Sequence, residues 1–214
     1  MTPCAQPPSR QEAALMKTQP LTHHRNLTPS KGQVWLVGDT HFGHAGSIGH
    51  SGRPFRNVAE MDRLLIEAWV SCVRPTDTVI HLGDFEWGHT PERTAQIFAA
   101  LPGKKHLVVG NHDRPRVTSL AWESVQERLT IHAAGRKVVA DHYPLRAWPG
   151  SFHGALHVHG HTHGTLPGTS QSADVGVDVW GYRPARLEDV IARMEATPEE
   201  PEERARAEKR KAQA

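Results

Sequence analysis

Aspartate, asparagine and histidine recur in five short clusters of this 214-residue chain: Asp39-Thr-His41, Gly83-Asp84, Gly110-Asn-His-Asp113, His142 and Gly160-His-Thr-His163. Together they offer enough oxygen and nitrogen donors for two adjacent metal ions. Any one such triplet arises readily by chance, but five in this order, nearly all following an apolar β-branched run, leave few alternatives. Two divalent cations about 3.5–4 Å apart need a bridging ligand, which a carboxylate can be. Asp84 is the expected bridge. Asp39 and His41, two residues apart at a strand end, can face one ion, with His163 completing its set. Asn111, His142 and His161 would hold the other. In His161-Thr162-His163 an extended backbone would put both imidazoles on one side, so that one serves each metal.

Imidazole mixed with carboxylate and amide oxygen suits Mn, Fe, Zn, Co or Ni better than Mg alone, and Mn(II) is the expected metal. The two cysteines, Cys4 and Cys72, lie outside every cluster, which excludes a thiolate zinc site. Taken singly, each histidine reads as a surface or core residue. The combination with Asp39, Asp84 and Asn111 makes a metal centre.

The order Gly38-Asp-Thr-His41, Gly83-Asp84, Gly110-Asn-His-Asp113, lone His142 and Gly160-His-Thr-His163 resembles the five motifs of the calcineurin-like metallophosphoesterases, over roughly residues 33 to 185. The resemblance implies a metal pair, an attacking hydroxide bridging it, and His112 beside the scissile phosphate, oriented by Asp113. His112 would then be a proton donor to the leaving oxygen or an electrostatic clamp on a phosphate oxygen. Asp-Thr-His-Phe-Gly-His44, Arg-Pro-Phe55, His-Leu-Gly-Asp-Phe85 and Val-Gly-Val-Asp-Val-Trp-Gly-Tyr-Arg-Pro184 are similar to a compact bacterial and phage branch of that family.

Elements able to position these clusters follow from periodicity. Short β-favouring runs at 34–37, 78–82, 106–109, 137–140, 156–158 and 175–179 lead toward the clusters or lie near them. Asn57 with Glu60 opens one helix, carried by Met61, Leu64, Leu65, Ala68, Trp69 and Cys72 at helical spacing; Thr90-Pro91 opens a second, ended by Pro102-Gly103. Alternating strands and helices predict α/β layers with ligands at the carboxyl ends of strands. The resemblance sharpens this to two mixed β-sheets packed as a sandwich and flanked by helices. Gly38, Gly83, Gly110 and Gly160 each precede a proposed ligand, where a side chain would crowd the ions.

Residues 1–31, rich in Pro, Gln, Thr and Ser, read as a flexible extension, 32–197 as one catalytic domain, and 198–214 as a charged tail, a solvated helix or a disordered segment. A net charge of +2 is too balanced to predict nucleic-acid binding from overall field. The lack of a long apolar run or secretion signal points to a cytoplasmic protein with no membrane partner. His44, Arg53, Arg114 and Arg146 lie near ligands in sequence and could hold a phosphate oxygen, and Trp180 or Tyr182 could stack on a base or simply pack. Neither G-x-S-x-G nor a P-loop is present, against serine-hydrolase and nucleotide-hydrolase chemistry.

The expected activity is hydrolysis of a phosphate ester, a nucleotide or nucleic-acid end among the substrates considered. Ligand clusters lie too close in sequence to admit a cap domain, which favours diesters over monoesters. A phosphomonoesterase, acting on nucleotides or phosphoproteins, is the alternative on the same fold, and a noncatalytic metal-binding scaffold a further one.

Overall fold

The computed structural model describes residues 21–212. Three short strands, β2 (Val34–Val37), β3 (Thr78–His81) and β4 (Lys104–Val108), run parallel side by side. β2 is apolar throughout, and β3 and β4 carry apolar residues pointing both ways, because both faces of these strands are covered. Trp35, Val37, Val79 and Leu107 face one apolar cluster with α1 (Val58–Cys72) and α2 (Pro91–Ala100), while Leu36, Ile80 and Val108 belong to a second.

Both helix starts were legible. Asn57 Oδ1 accepts the Glu60 amide at 2.9 Å, and the Thr90 hydroxyl accepts that of Arg93 at 3.3 Å with Pro91 in the first turn.

The sheet continues through β5 (Ser124–Ala133), β6 (Arg136–Asp141), β7 (Leu156–His159) and β8 (Ser172–Asp174), and ends on its other side at the two-residue β9 (Ala185–Arg186). The strand order is β8-β7-β6-β5-β4-β3-β2-β9. The expected pair of sheets is therefore one hydrogen-bonded path whose halves curl to face each other. Leu36, Ile80 and Val108 from one half share a buried cluster with Leu129, Val138, Leu156 and Val158 from the other. Leu187, Val190, Ile191 and Met194 of α3 (Leu187–Glu195) close this cluster at helical spacing.

Ten-residue β5 makes the curl: its first three residues pair with β4 and its last six with β6. The turn into β6, Ala134-Gly135, has positive φ at both residues (50° and 69°), the backbone twist that suits a two-residue hairpin.

Two expectations are corrected here. Residues 22–27, placed in a flexible extension, form β1 (Thr22–Leu27), which pairs in parallel with β5 from Gln126 to Ile131 along the edge that β4 leaves open; the rest of that extension through residue 20 lies outside the described residues. The expected strand at 175–179 is instead a turn. Val177 donates to the Gly38 carbonyl and Val179 to that of Gly176, so the chain crosses over the end of β2 rather than extending β8.

The charged tail contains α4 (Glu202–Ala212), a solvated helix tied down by ion pairs such as Glu202 with Arg146. No helix among the described residues is long and apolar enough to cross a membrane.

Trp122 lies fully buried among Phe85, Phe98 and His81. Trp122→Ala is expected to cost about 3–5 kcal/mol of unfolding free energy, against about 1 kcal/mol for removing the Asn57 cap with Ala, read from urea denaturation midpoints.

Candidate metal centre

All seven expected ligands converge where the carboxyl ends of two groups of parallel strands meet. Asp39 and His41 follow β2, Asp84 follows β3 and Asn111 follows β4; from the other half, His142 follows β6, and His161 and His163 follow β7. Gly38 bridges to Gly176 across the join.

Donor atoms of Asp39, His41 and His163 lie within 4.8 Å of one another, as do those of Asp39, Asp84 and His142. Asn111 Oδ1 lies 3.0 Å from His142 Nε2 and 3.1 Å from His161 Nδ1. Asp84 Oδ2 sits between the two groups, 3.6 Å from His41 Nε2 and 3.7 Å from His142 Nε2. The two imidazoles of His161-Thr-His163 reach different neighbours, His163 the Asp39 and His41 donors and His161 the Asn111 amide. They do so from left-handed backbone, φ 67° and 48°, and not from an extended strand.

Left-handed backbone is general here. Asp39, His41, Asp84, His161 and His163 all have φ between 48° and 67°, a conformation that costs of order 1 kcal/mol or more for such residues. Charged side chains hold it in place. Asp39 accepts the His161 amide at 3.0 Å on both oxygens, and Asp84 Oδ1 accepts the His112 amide at 2.9 Å.

Glycine makes room for these contacts. A Cβ on Gly83 would come within 2.5 Å of the Gly110 nitrogen, and one on Gly160 within 2.6 Å of the Asp39 carboxylate. Gly38 differs from that expectation, since a Cβ there would meet its nearest neighbour at 3.4 Å, an ordinary contact.

Asp113 does not orient His112. Its carboxylate accepts the amides of Gly110 (2.8 Å), Asp84 (3.0 Å) and Phe85 (2.9 Å), tying the β3 and β4 loops together, and no described hydrogen bond joins it to the His112 ring. Burial pushes its pKa up to about 7, against the pull of those amides. The His112 ring is instead set edge-on against Trp87, centroids 5.0 Å apart, with Nε2 4.0 Å from Asp84 Oδ2.

Arg53 is no free phosphate ligand either. It is buried and donates to both oxygens of Asp178 at 2.8 Å and to the carbonyls of Asp39 (2.6 Å) and Thr40 (3.0 Å), clamping the first ligand loop. Arg146 is exposed and paired with Glu202 at 2.6 Å, and Arg114 lies over the Trp87 ring at 5.3 Å.

His44 does border the cleft above the ligands. Burial lowers its pKa. Tyr182 packs on Phe55 and Trp180 donates to the Asp174 carbonyl, so both take the packing reading.

Asp178 carries a role that spacing did not reveal. It accepts His163 Nδ1–H at 2.7 Å while pairing with Arg53, which fixes that imidazole with Nε2 free to ligate. Burial pushes its pKa up, but His163 and Arg53 outweigh that and hold it below the usual carboxylate range. The signal lay in the Val-Gly-Val-Asp178-Val run, whose aspartate is the only charged residue among apolar ones.

The donors fit divalent cations. Burial, with Asp174 and Asp84 nearby, raises the Asp39 pKa well above its usual value, as a carboxylate lacking compensating positive charge should behave. Burial lowers the pKa of His41 to about 2 and also lowers that of His142, leaving neutral imidazoles with lone pairs to donate. His142 Nδ1–H donates to the Leu82 carbonyl at 2.7 Å, so its Nε2 lone pair faces Asn111 Oδ1, an opposition that a cation relieves. Separations of 3.6 and 3.7 Å are too long for hydrogen bonds, yet two ligands each about 2.0–2.1 Å from one ion can stand that far apart.

Comparison with known proteins agrees with this geometry. The family model for the calcineurin-like phosphoesterase superfamily domain matches residues 33–176, and the chain belongs to that family. An uncharacterized protein of Methanocaldococcus jannaschii is 30% identical over 170 residues, covering 76% of this chain and 92% of that protein. The Gene 66 protein of Mycobacterium phage D29 is 29% identical over 179 residues, covering 69% of this chain and 88% of its own. A crystal structure of a protein of unknown function from Aquifex aeolicus is similar in fold, with a TM-score of 0.62 at 23% identity over 75% of this chain and 98% of that one. Membership supports a metal-dependent phosphoesterase.

Replacing Asp178 by Asn is expected to weaken Mn(II) binding about 10- to 100-fold, because the His163 ring loses its orienting carboxylate. Chelator competition measures this, and an unchanged affinity would mean that the ring is set by packing alone.

Proposed function

We propose that the chain hydrolyses phosphodiesters with two divalent cations, Mn(II) foremost, held by Asp39, His41 and His163 on one side and Asn111, His142 and His161 on the other, with Asp84 shared. The observation that carries the diester reading is the lining of the cleft. It holds about 260 Å³ and is bordered by His41, His44, Asn111, His112, His161 and His163 among others, and none of the residues bordering it is lysine or arginine. A monoester dianion needs positive donors beyond the metals, and of the three candidate arginines Arg53 and Arg146 are held by carboxylates while Arg114 lies over the Trp87 ring. A diester carries one negative charge less.

When bound, the cations lower the pKa of water and neutralise phosphate charge. The chain's own residues do the rest. His112 is held against Trp87 at the cleft and donates a proton to the leaving oxygen. His44 borders the cleft with its ring centroid 6.3 Å from that of His112 and offers a hydrogen bond to a nonbridging oxygen. Asp113 and Arg53 keep the ligand loops in their left-handed conformation.

Under saturating Mn(II) at matched pH, kcat/KM is expected to be higher for bis-nitrophenyl phosphate than for nitrophenyl phosphate, and a clear monoester preference would overturn the diester reading while leaving the ligands standing.

Elemental analysis should find close to two metals per chain after growth with manganese. Asp84→Asn should deplete both ions and His161→Ala mainly one, so equal occupancy in the two variants would contradict the shared-carboxylate assignment.

His112→Ala should keep its metals and lose about 10²- to 10⁴-fold in rate, less for nitrophenolate than for alkoxide leaving groups. An equal loss for both would assign His112 a purely electrostatic part.

A further inference from the structure

A large cavity lies beside the metal cleft and has no part in the chemistry described so far. It measures about 770 Å³, within the range of small-molecule sites, and lies between β1, β5 and the loop after β6. Asn111 lines both this cavity and the metal cleft, so the two adjoin at a proposed ligand.

Tyr143 stands at that junction. It is 45% exposed, and its ring is braced edge-to-face against His142 and His161, centroids 4.9 and 4.7 Å away. Its amide donates to Asp141 Oδ1 at 3.1 Å, which fixes the backbone beneath the ring. This is a rigid aromatic surface next to the ligands, placed where a flat group could stack.

The cavity wall discriminates among occupants. His23 with Glu127, His24 with Thr130 and Arg128 with Asp141 are already paired, and an acyl chain laid over these groups would strip them of water. A peptide adding as a strand is disfavoured because β1 already occupies that edge of β5. Asn26 and Lys137 remain. Neither side chain has a partner among the described hydrogen bonds and ion pairs, and both line the cavity. An amide offering donor and acceptor together, a cation and an aromatic platform are the groups that recognise a base and its sugar phosphate.

We propose that this cavity is a nucleoside subsite, holding the sugar and base of one ester group of the phosphodiester, with the base against Tyr143. The inference rests on the phosphodiesterase reading and names its substrate class. A second hollow of about 370 Å³ adjoins through Pro149 and carries Phe152, 56% exposed, so the nucleoside belongs either to a free nucleotide or to the end of a nucleic-acid strand.

The test compares the nitrophenyl ester of thymidine 5′-phosphate with methyl nitrophenyl phosphate under Mn(II). The leaving group is the same, and the retained ester group differs. The expected ratio of kcat/KM is about tenfold or more in favour of the nucleoside ester. Tyr143→Phe should keep the ratio, while Asn26→Trp, which fills the cavity from β1, should bring it toward one. Equal kcat/KM for the two substrates, or a ratio untouched by Asn26→Trp, overturns the subsite and leaves the phosphodiesterase reading intact. If neither ester is hydrolysed, that reading fails on its own. Calorimetric binding of thymidine 5′-monophosphate, lost in Asn26→Trp if the subsite is real and retained if it is not, then decides the subsite separately. Oligodeoxynucleotides of increasing length separate the sources: kcat/KM that climbs with length supports a strand end, and a flat response supports a free nucleotide.

Discussion

A cluster of aspartates lies in the interior of this protein, and its surroundings compensate for it. Asp39, Asp84 and Asp174 are buried near one another, with the Asp178 carboxylate close by. Arg53 is the only buried arginine or lysine among the described residues, and Asp178 already takes both of its forks. One guanidinium cannot balance this set; burial, with Asp174 and Asp84 beside it, raises the Asp39 pKa, and divalent cations suit the vacancy of charge.

The same requirement explains the backbone. Bringing donors from five loops to a point demands sharp turns directly after strands, and five ligand residues take a left-handed conformation that ordinary side chains avoid. Hydrogen bonds from the loops' own charged groups hold it. Asp113 gathers three amides from two loops, and Arg53 gathers two carbonyls from a third. A position such as Gly83 stays small because its neighbours are backbone atoms, which cannot yield as a flexible side chain would.

The ligands were legible in the sequence because metal chemistry restricts residue type and places each donor after an apolar run. Helix starts at Asn57 and Thr90 were legible for a similarly local reason. What escaped depends on partners distant in the chain. Arg53 looks like any arginine near a site until Asp178, more than a hundred residues away, is seen to fix it. Asp113 follows a histidine and so reads as its partner, yet it serves the backbone of another loop. β5 mixes Gln126, Glu127 and Arg128 into its run because its two ends belong to different halves of the sheet, so no single alternation describes it. β1 escaped because an edge strand exposed along nearly its whole length shows no apolar period.

The Arg53–Asp178 pair also bears on the order in which the protein can be built. It joins the loop of the first ligands to a turn that leaves the ribosome after every other part of the centre, and His163 is steadied by that same turn. During synthesis the early strands can assemble, but the first ion's pocket stays unfinished until the turn carrying Asp178 has emerged. Metal loading thus waits on that turn, and a chain broken off after residue 163 would contain every ligand and still lack the means to hold one of its imidazoles in place.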